Sequence, residues 1–93
     1  LTKENLQKIV GLEIAEVADR LKEKNITIQL TPEAVEFFVT KGFDPTFGAR
    51  PLKRTIQRFL EDPLAEEIIA GRFVEGSTIN VKHDKRKDIL IFE

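Results

Sequence analysis

The chain contains no cysteine, methionine, tryptophan or tyrosine, and it has a single histidine, His83. Without cysteine, disulfides and thiolate metal sites are excluded, and one histidine cannot form a histidine cluster. No apolar run approaches the roughly 18 residues of a membrane span, and no signal-peptide pattern opens the chain. We therefore expect a cytoplasmic protein with no metal site and no membrane contact.

Methionine is missing even at position 1, which predicts that the chain is a piece of a longer protein. Its 93 residues fit one domain, with 41% apolar residues, 33% charged residues and a net charge of −1. This balance is typical of a globular domain and argues against a general polyanion binder. Any basic function must therefore be local.

Apolar periodicity predicts the order helix, strand, helix, long helix and hairpin. The predicted segments are a helix from Thr2 to near Asn25, a strand over 26–30, a helix from Thr31 to Gly42, a helix from 49–51 to Gly71, and strands over 78–82 and 88–92. Pro63 should kink the long helix or divide it in two, because proline lacks a backbone donor. This order gives an α+β domain with amphipathic helices covering one side of a three-stranded sheet.

Two local features carry further expectations. Asp-Pro and Gly48 give residues 43–48 turn chemistry, and we expect Phe43 and Phe47 to anchor this loop to the core. His83 lies in a charged stretch between the last two strands, where a solvent-exposed turn residue is expected rather than a catalytic base. Motifs for a phosphate loop, a dinucleotide fingerprint, a nucleophile elbow and a zinc protease are all missing, so the chain by itself is not expected to be an enzyme.

A cluster of cations at the start of the long helix breaks a local rule. Arg50, Lys53 and Arg54 lie where the helix dipole is already positive, and each cation there typically costs about 0.3–1 kcal/mol. A bound anion would remove this conflict, since helix N–H groups and a guanidinium can act together on phosphate oxygens. Nearby acidic side chains could remove it equally well, and the residues alone leave both explanations open.

The stretch "GFDPTFGARPLKRTIQRFLEDPLAEEIIAG", residues 42–71, resembles the C-terminal small subdomain of the second AAA+ module in the Clp family of ATP-driven unfoldases. The resemblance covers essentially the whole chain, residues 1–93, and is strongest for ClpB-type disaggregases. Gly48, Ala49 and Arg50 match the family's sensor-2 triplet. The resemblance implies a nucleotide-sensing lid in which Arg50 contacts ATP or ADP. It therefore favours a bound anion as the explanation of the cation cluster.

Further expectations follow from the resemblance. An apolar residue of the first helix lies against adenine in the family, and Ile9 is the matching position, although burial in the core would explain Ile9 equally well. The large subdomain holds Mg²⁺ and the hydrolytic residues. Implied partners are that large subdomain, neighbouring subunits of a homo-hexamer, and unfolded or aggregated proteins bound through other domains.

Two alternative functions remain at this point. The same lid could belong to a ClpC-type ATPase that serves a Clp protease. A non-enzymatic module could instead use Arg50, Lys53, Arg54 and Arg58 on nucleic-acid phosphates. The net charge of −1 and the lack of a second basic stripe are unfavourable to nucleic acid.

Overall fold

Four helices and a three-stranded sheet make up the chain, whose computed structural model describes residues 2–93. The elements are α1 (Lys3–Lys22), β1 (Thr27–Leu30), α2 (Pro32–Lys41), α3 (Leu52–Ile56), a π-helical segment (Gln57–Glu61), α4 (Asp62–Ile69), β2 (Thr78–Asp84) and β3 (Ile89–Phe92). The predicted α+β class is confirmed. Within residues 2–93, no helix combines the length and the apolar character needed to cross a bilayer.

The first two helices begin where the sequence predicts. Thr2 and Thr31 each accept a hydrogen bond from the backbone N–H three residues later, which satisfies one of the unpaired donors at each helix start. α1 ends at Lys22, three residues before the predicted end. Asn25 has φ = 58°, a left-handed conformation that cannot continue a right-handed helix, so the chain turns there into β1.

β2 is the central strand of the sheet. It pairs in parallel with β1 and antiparallel with β3, and Val81 lies opposite both Leu30 and Phe92. Ile79 and Val81 are fully buried while their neighbours along the strand are exposed, so only one face of the sheet meets the helices. The predicted hairpin and the predicted third strand are both confirmed.

Helical residues run without a gap from Leu52 to Ile69, so the long helix is not divided in two at Pro63, and a π-helical segment directly precedes the proline. The N–H of Asp62 donates to the carbonyl of Gln57, five residues earlier rather than four. A π turn contains an extra residue and commonly appears where an α-helix must accommodate an irregularity. Pro63 is the second residue of α4, so the backbone donor that proline lacks falls directly after the segment in which the four-residue hydrogen-bond pattern is already interrupted.

The core is one cluster between the helices and the inner face of the sheet. Its most deeply buried side chains are Val10, Phe38, Ile56, Leu60, Leu64, Ile79 and Val81. Gly42 allows α2 and α3 to approach closely, because a Cβ at this position would lie 2.5 Å from a methyl carbon of Leu52 and 2.7 Å from the carbonyl oxygen of Phe38. This approach fixes both ends of the loop over 43–51.

Replacing Phe38 by alanine should lower the free energy of unfolding by about 3–5 kcal/mol, because Phe38 is 0% exposed and truncation leaves a cavity. The control is Ile69→Ala, whose side chain is 86% exposed and should change stability by less than about 0.5 kcal/mol. Urea unfolding of the 93-residue chain measures both variants. Equal unfolding midpoints would contradict the packing described here.

Candidate functional site

The loop before α3 is closed by its own hydrogen bonds. Asp44 and Gly48 form an isolated antiparallel bridge, with N–H···O distances of 2.8 and 2.7 Å. The Oδ1 atom of Asp44 also accepts from the N–H groups of Thr46 and Phe47, at 2.7 and 3.0 Å. Gly48 has φ = 66°, a conformation that glycine adopts without penalty. We call residues 44–48 the clamp loop.

The two loop aromatics do not anchor the clamp loop, so that prediction is wrong. Phe43 and Phe47 are 38% and 59% exposed. The polar groups of the clamp loop pair with one another, and the hydrogen bonds of Asp44 therefore replace apolar anchoring. The sequence assigned turn chemistry to Asp44 and Pro45, but it did not show that the Asp44 carboxylate closes the loop by accepting from two backbone N–H groups.

Ala49 and Arg50 continue directly from the clamp loop. Ala49 is partly buried against the core, and its carbonyl accepts from the N–H of Leu52. The N–H of Arg50 donates to the carbonyl of Phe47 at 3.3 Å. The Arg50 side chain is exposed, and its guanidinium carbon lies 5.6 Å from the centre of the Phe47 ring. Backbone contacts therefore fix the base of the arginine while its charged end faces solvent.

The three cations of the cluster divide into two groups. Arg50 and Arg54 line a shallow surface pocket with Phe47 and Pro51, and no carboxylate takes part in that lining. Lys53 instead lines a groove whose other residues include acidic side chains of α1 and of the π-helical segment, namely Glu13, Glu16 and Glu61. None of the ion pairs formed within residues 2–93 involves any of the three cations.

This division bears on the two explanations of the cation cluster. Acidic neighbours account for Lys53 in part, since a cation beside several carboxylates is favourable even without direct contact. They do not account for Arg50 and Arg54, whose pocket contains only cationic and apolar side chains. The structure also places Arg50 before the first helical residue, Leu52, and not inside the first turn as the sequence suggested.

Ile9 is not one of the residues that line the pocket of Arg50. It is partly buried on α1, where it packs against the hydrophobic core. The core explanation of Ile9 is therefore correct for part of its side chain. No group of three or more potential metal ligands exists within residues 2–93.

His83 departs from its predicted place in a solvent-exposed turn. It lies in β2, its side chain is only 16% exposed, and its ring packs 5.0 Å from the ring of Phe37. Its Nε2 atom is 3.0 Å from Oδ1 of Asp88, whose other carboxylate oxygen pairs with Lys41. β2 runs two residues longer than predicted, because His83 and Asp84 still pair with Leu90 and Ile89 of β3.

The same contacts shift the titration of Asp88. Hydrogen bonds from Lys41 and His83 to the carboxylate hold the pKa of Asp88 below its ordinary value of 3.8. A carboxyl with a lowered folded-state pKa contributes stability that is present above its unfolded pKa and is lost as pH falls through the folded pKa. These contacts join the end of α2 to the hairpin.

We predict that Asp88→Asn will remove part of the acid sensitivity of the chain. Asparagine tolerates the left-handed conformation of this residue, where φ is 53°, so the charge changes while the backbone need not. The wild-type chain should be more stable than the variant at pH 6, and this difference should shrink as pH falls from roughly 5 to below 3. Urea unfolding at each pH measures it, and a constant difference would refute the role assigned to Asp88.

We also predict that Asp44→Ala will open the clamp loop, because it removes the acceptor for two backbone donors. The cost should be about 1 kcal/mol, with faster hydrogen exchange at the amides of Thr46 and Phe47. Asp44→Asn keeps an acceptor oxygen and should retain most of the protection. Amide exchange by NMR distinguishes the variants, and unchanged exchange in Asp44→Ala would show that the side chain does not hold the loop.

Comparison with known proteins identifies the family. A family model described as the C-terminal, D2-small domain of ClpB protein matches residues 1–81. The chain is 50% identical over 91 residues to the chaperone protein ClpB of Aquifex aeolicus, covering 98% of this chain and 9% of that protein. It is 42% identical over 93 residues to chaperone protein ClpB 1 of Synechococcus elongatus, covering 100% of this chain and 10% of that protein.

A third relative, the chaperone protein ClpB of Meiothermus ruber, is 46% identical over 81 residues, or 87% of this chain and 10% of that protein. The chain therefore belongs to the ClpB D2-small domain family, and the resemblance seen in the sequence is confirmed. It spans only about a tenth of the length of the relatives that it matches.

Proposed function

We propose that the chain is the nucleotide-sensing lid of an AAA+ ATPase module and that Arg50 contacts the nucleotide phosphates. The observation that carries this proposal is the environment of Arg50. Its guanidinium is exposed, it has no carboxylate partner within residues 2–93, and it shares a pocket with a second arginine, Arg54. Two like charges at one site are best stabilised by an anion, and phosphate, like carboxylate, is an anion that arginine binds in a fork-like geometry.

The donor set fits part of a nucleoside triphosphate and not the whole of its site. Arg50 and Arg54 supply positive charge for phosphate oxygens, but the described residues offer no carboxylate cluster for Mg²⁺. When bound, Mg²⁺ and ATP would supply the phosphoryl chemistry, with the metal held by residues outside this chain. We therefore propose that the chain alone is not an enzyme and that residues 1–93 act as the small subdomain of a longer ATPase.

In the proposed site, the residues of this chain bind the nucleotide phosphates and orient Arg50 toward them. The clamp loop fixes the backbone on the N-terminal side of Arg50, and Leu52 fixes it on the other side by its burial in the core. The backbone of Arg50 is thus held at a defined position before any ligand arrives, which reduces the backbone freedom lost on binding. Ile9 is proposed to contact adenine with the part of its side chain that the core leaves uncovered.

The proposed partners follow from the family. They are a large AAA+ subdomain that carries the hydrolytic residues, neighbouring subunits of a homo-hexamer, and unfolded or aggregated proteins bound through other domains in the cytoplasm. The relatives carry the name ClpB, so we favour a disaggregase over a ClpC-type partner of a protease. Lys53 faces acidic residues rather than joining Arg50 and Arg54, which shortens the basic surface available to nucleic acid.

The test replaces Arg50 in the full-length protein. Arg50→Ala should leave the melting temperature unchanged, because the side chain lies outside the core, and should lower nucleotide affinity, hydrolysis or both. The loss in rate should be on the order of 10²-fold if the contact tightens in the transition state, and smaller if Arg50 serves ground-state binding equally. Arg50→Lys should restore only part of the function, because lysine keeps the charge but lacks the planar fork.

Arg58→Ala is the matched control, since Arg58 is also an exposed arginine of the same helical region and is absent from the pocket of Arg50. It should hydrolyse ATP at close to the wild-type rate. Steady-state hydrolysis, nucleotide affinity and thermal melting are measured for all three variants. Wild-type affinity and hydrolysis in Arg50→Ala would overturn the proposal. If the only change in Arg50→Ala is a lower melting temperature, Arg50 is a structural residue.

A further inference from the structure

The most exposed phenylalanine of the described residues lies beside the proposed phosphate contact. Phe47 is 59% exposed and is absent from the core cluster and from the side chains that pack against it. Exposing a large aromatic side chain forgoes the favourable burial that it could have elsewhere. The guanidinium carbon of Arg50 lies 5.6 Å from the centre of the Phe47 ring.

Two other arginines stack on phenylalanine rings, and the comparison separates Phe47 from them. Arg58 lies 5.3 Å from the Phe59 ring, and Arg72 lies 5.3 Å from the Phe73 ring. Phe59 and Phe73 both pack against the core, so core packing explains their positions. Phe47 has no such explanation.

The backbone of Phe47 is fixed by hydrogen bonds, although its ring is exposed. Its N–H donates to Asp44 Oδ1 at 3.0 Å, and its carbonyl accepts from the N–H of Arg50 at 3.3 Å. The ring and the arginine therefore project from two points of one closed turn. Because its backbone is fixed, the Phe47 ring can restrict the positions that the flexible Arg50 guanidinium samples.

We infer that Phe47 is a positioning residue for Arg50. Its ring attracts the guanidinium by a cation–π interaction and holds it near one location before nucleotide binds. A free arginine side chain samples many rotamers and loses that freedom when it engages a phosphate. Restricting those rotamers in advance raises affinity through Arg50, and this effect does not depend on contact between Phe47 and the nucleotide. This inference rests on the proposed function of Arg50.

The size of the effect follows from the strength of the contact. An exposed cation–π pair changes an equilibrium by about two- to fivefold. We therefore expect Phe47→Leu to weaken ATP affinity of the full-length protein by about that factor, with an unchanged melting temperature. Phe47→Tyr and Phe47→Trp keep a π face and should restore affinity, and tryptophan should do so at least as well as the native residue.

A double-mutant cycle tests whether Phe47 acts through Arg50. ATP affinity is measured for the wild-type protein, Phe47→Leu, Arg50→Ala and the double variant. If Phe47 acts only through the arginine, Phe47→Leu should have no further effect once Arg50 is alanine. Phe73→Leu is the control for the loss of an arginine–phenylalanine pair that does not line the pocket of Arg50, and it should leave ATP affinity unchanged. Because Phe73 also packs against the core, its melting temperature is measured alongside.

The outcomes separate the two proposals. If Arg50→Ala binds and hydrolyses ATP like the wild type, the proposed function fails, and this inference fails with it. If Arg50→Ala weakens nucleotide binding while Phe47→Leu has no effect, or has the same effect in both backgrounds, only the positioning role is overturned. An effect of Phe47→Leu that Phe47→Tyr and Phe47→Trp do not rescue also overturns it.

Discussion

The burial of one face of β2 is the constraint on which the other elements depend. β2 pairs with both other strands and therefore holds the sheet together. Its side chains Ile79 and Val81 are fully buried, so the same strand also forms part of the core. α2 packs against this strand, and the close approach at Gly42 then sets where α3 begins. The segment that carries Arg50 lies between these two fixed helices.

Arg50 therefore combines a fixed backbone with an exposed guanidinium. The clamp loop resists deformation through polar contacts that are independent of the core, and Leu52 returns the chain to the core immediately afterwards. Buried apolar contacts and local hydrogen bonds contribute separately to this arrangement. A substitution can thus disturb the position of Arg50 without unfolding the domain, which is why stability and ligand binding must be measured together.

Most of the fold could be predicted from the sequence because its periodicities are strong. The apolar face of α1, the capping threonines and the alternation in β2 each have a direct physical cause that short-range patterns express. The failures have a cause as well. Phe43 and Phe47 were assigned to the core because aromatic residues are usually buried. The Asp44 side chain stabilises the loop in their place, and a rule based on residue type alone does not predict that contact. His83 was misplaced because the packing of Phe37 against it is a long-range event.

The candidate site was only partly accessible to sequence reasoning. Arg50 and Gly48 stand out in the sequence, and the structure shows that Gly48 closes the clamp loop on Asp44 while the backbone of Arg50 is bonded to Phe47. That Lys53 turns toward the acids of α1 while Arg54 stays with Arg50 depends on how two helices pack. No spacing within one helix can show which face meets a neighbouring helix and which meets solvent.

The π-helical segment has a geometric consequence for the apolar stripe that it interrupts. Leu52, Ile56, Leu60 and Leu64 follow one another at intervals of four residues, and all four are buried. At 3.6 residues per turn, each interval of four advances about 40° beyond a full turn, so Leu64 would lie about 120° from Leu52 on an ideal α-helix. One extra residue in a π turn cancels about 100° of this rotation. The widened turn thus resets the phase of the helix, and a strict four-residue repeat stays on one side of it.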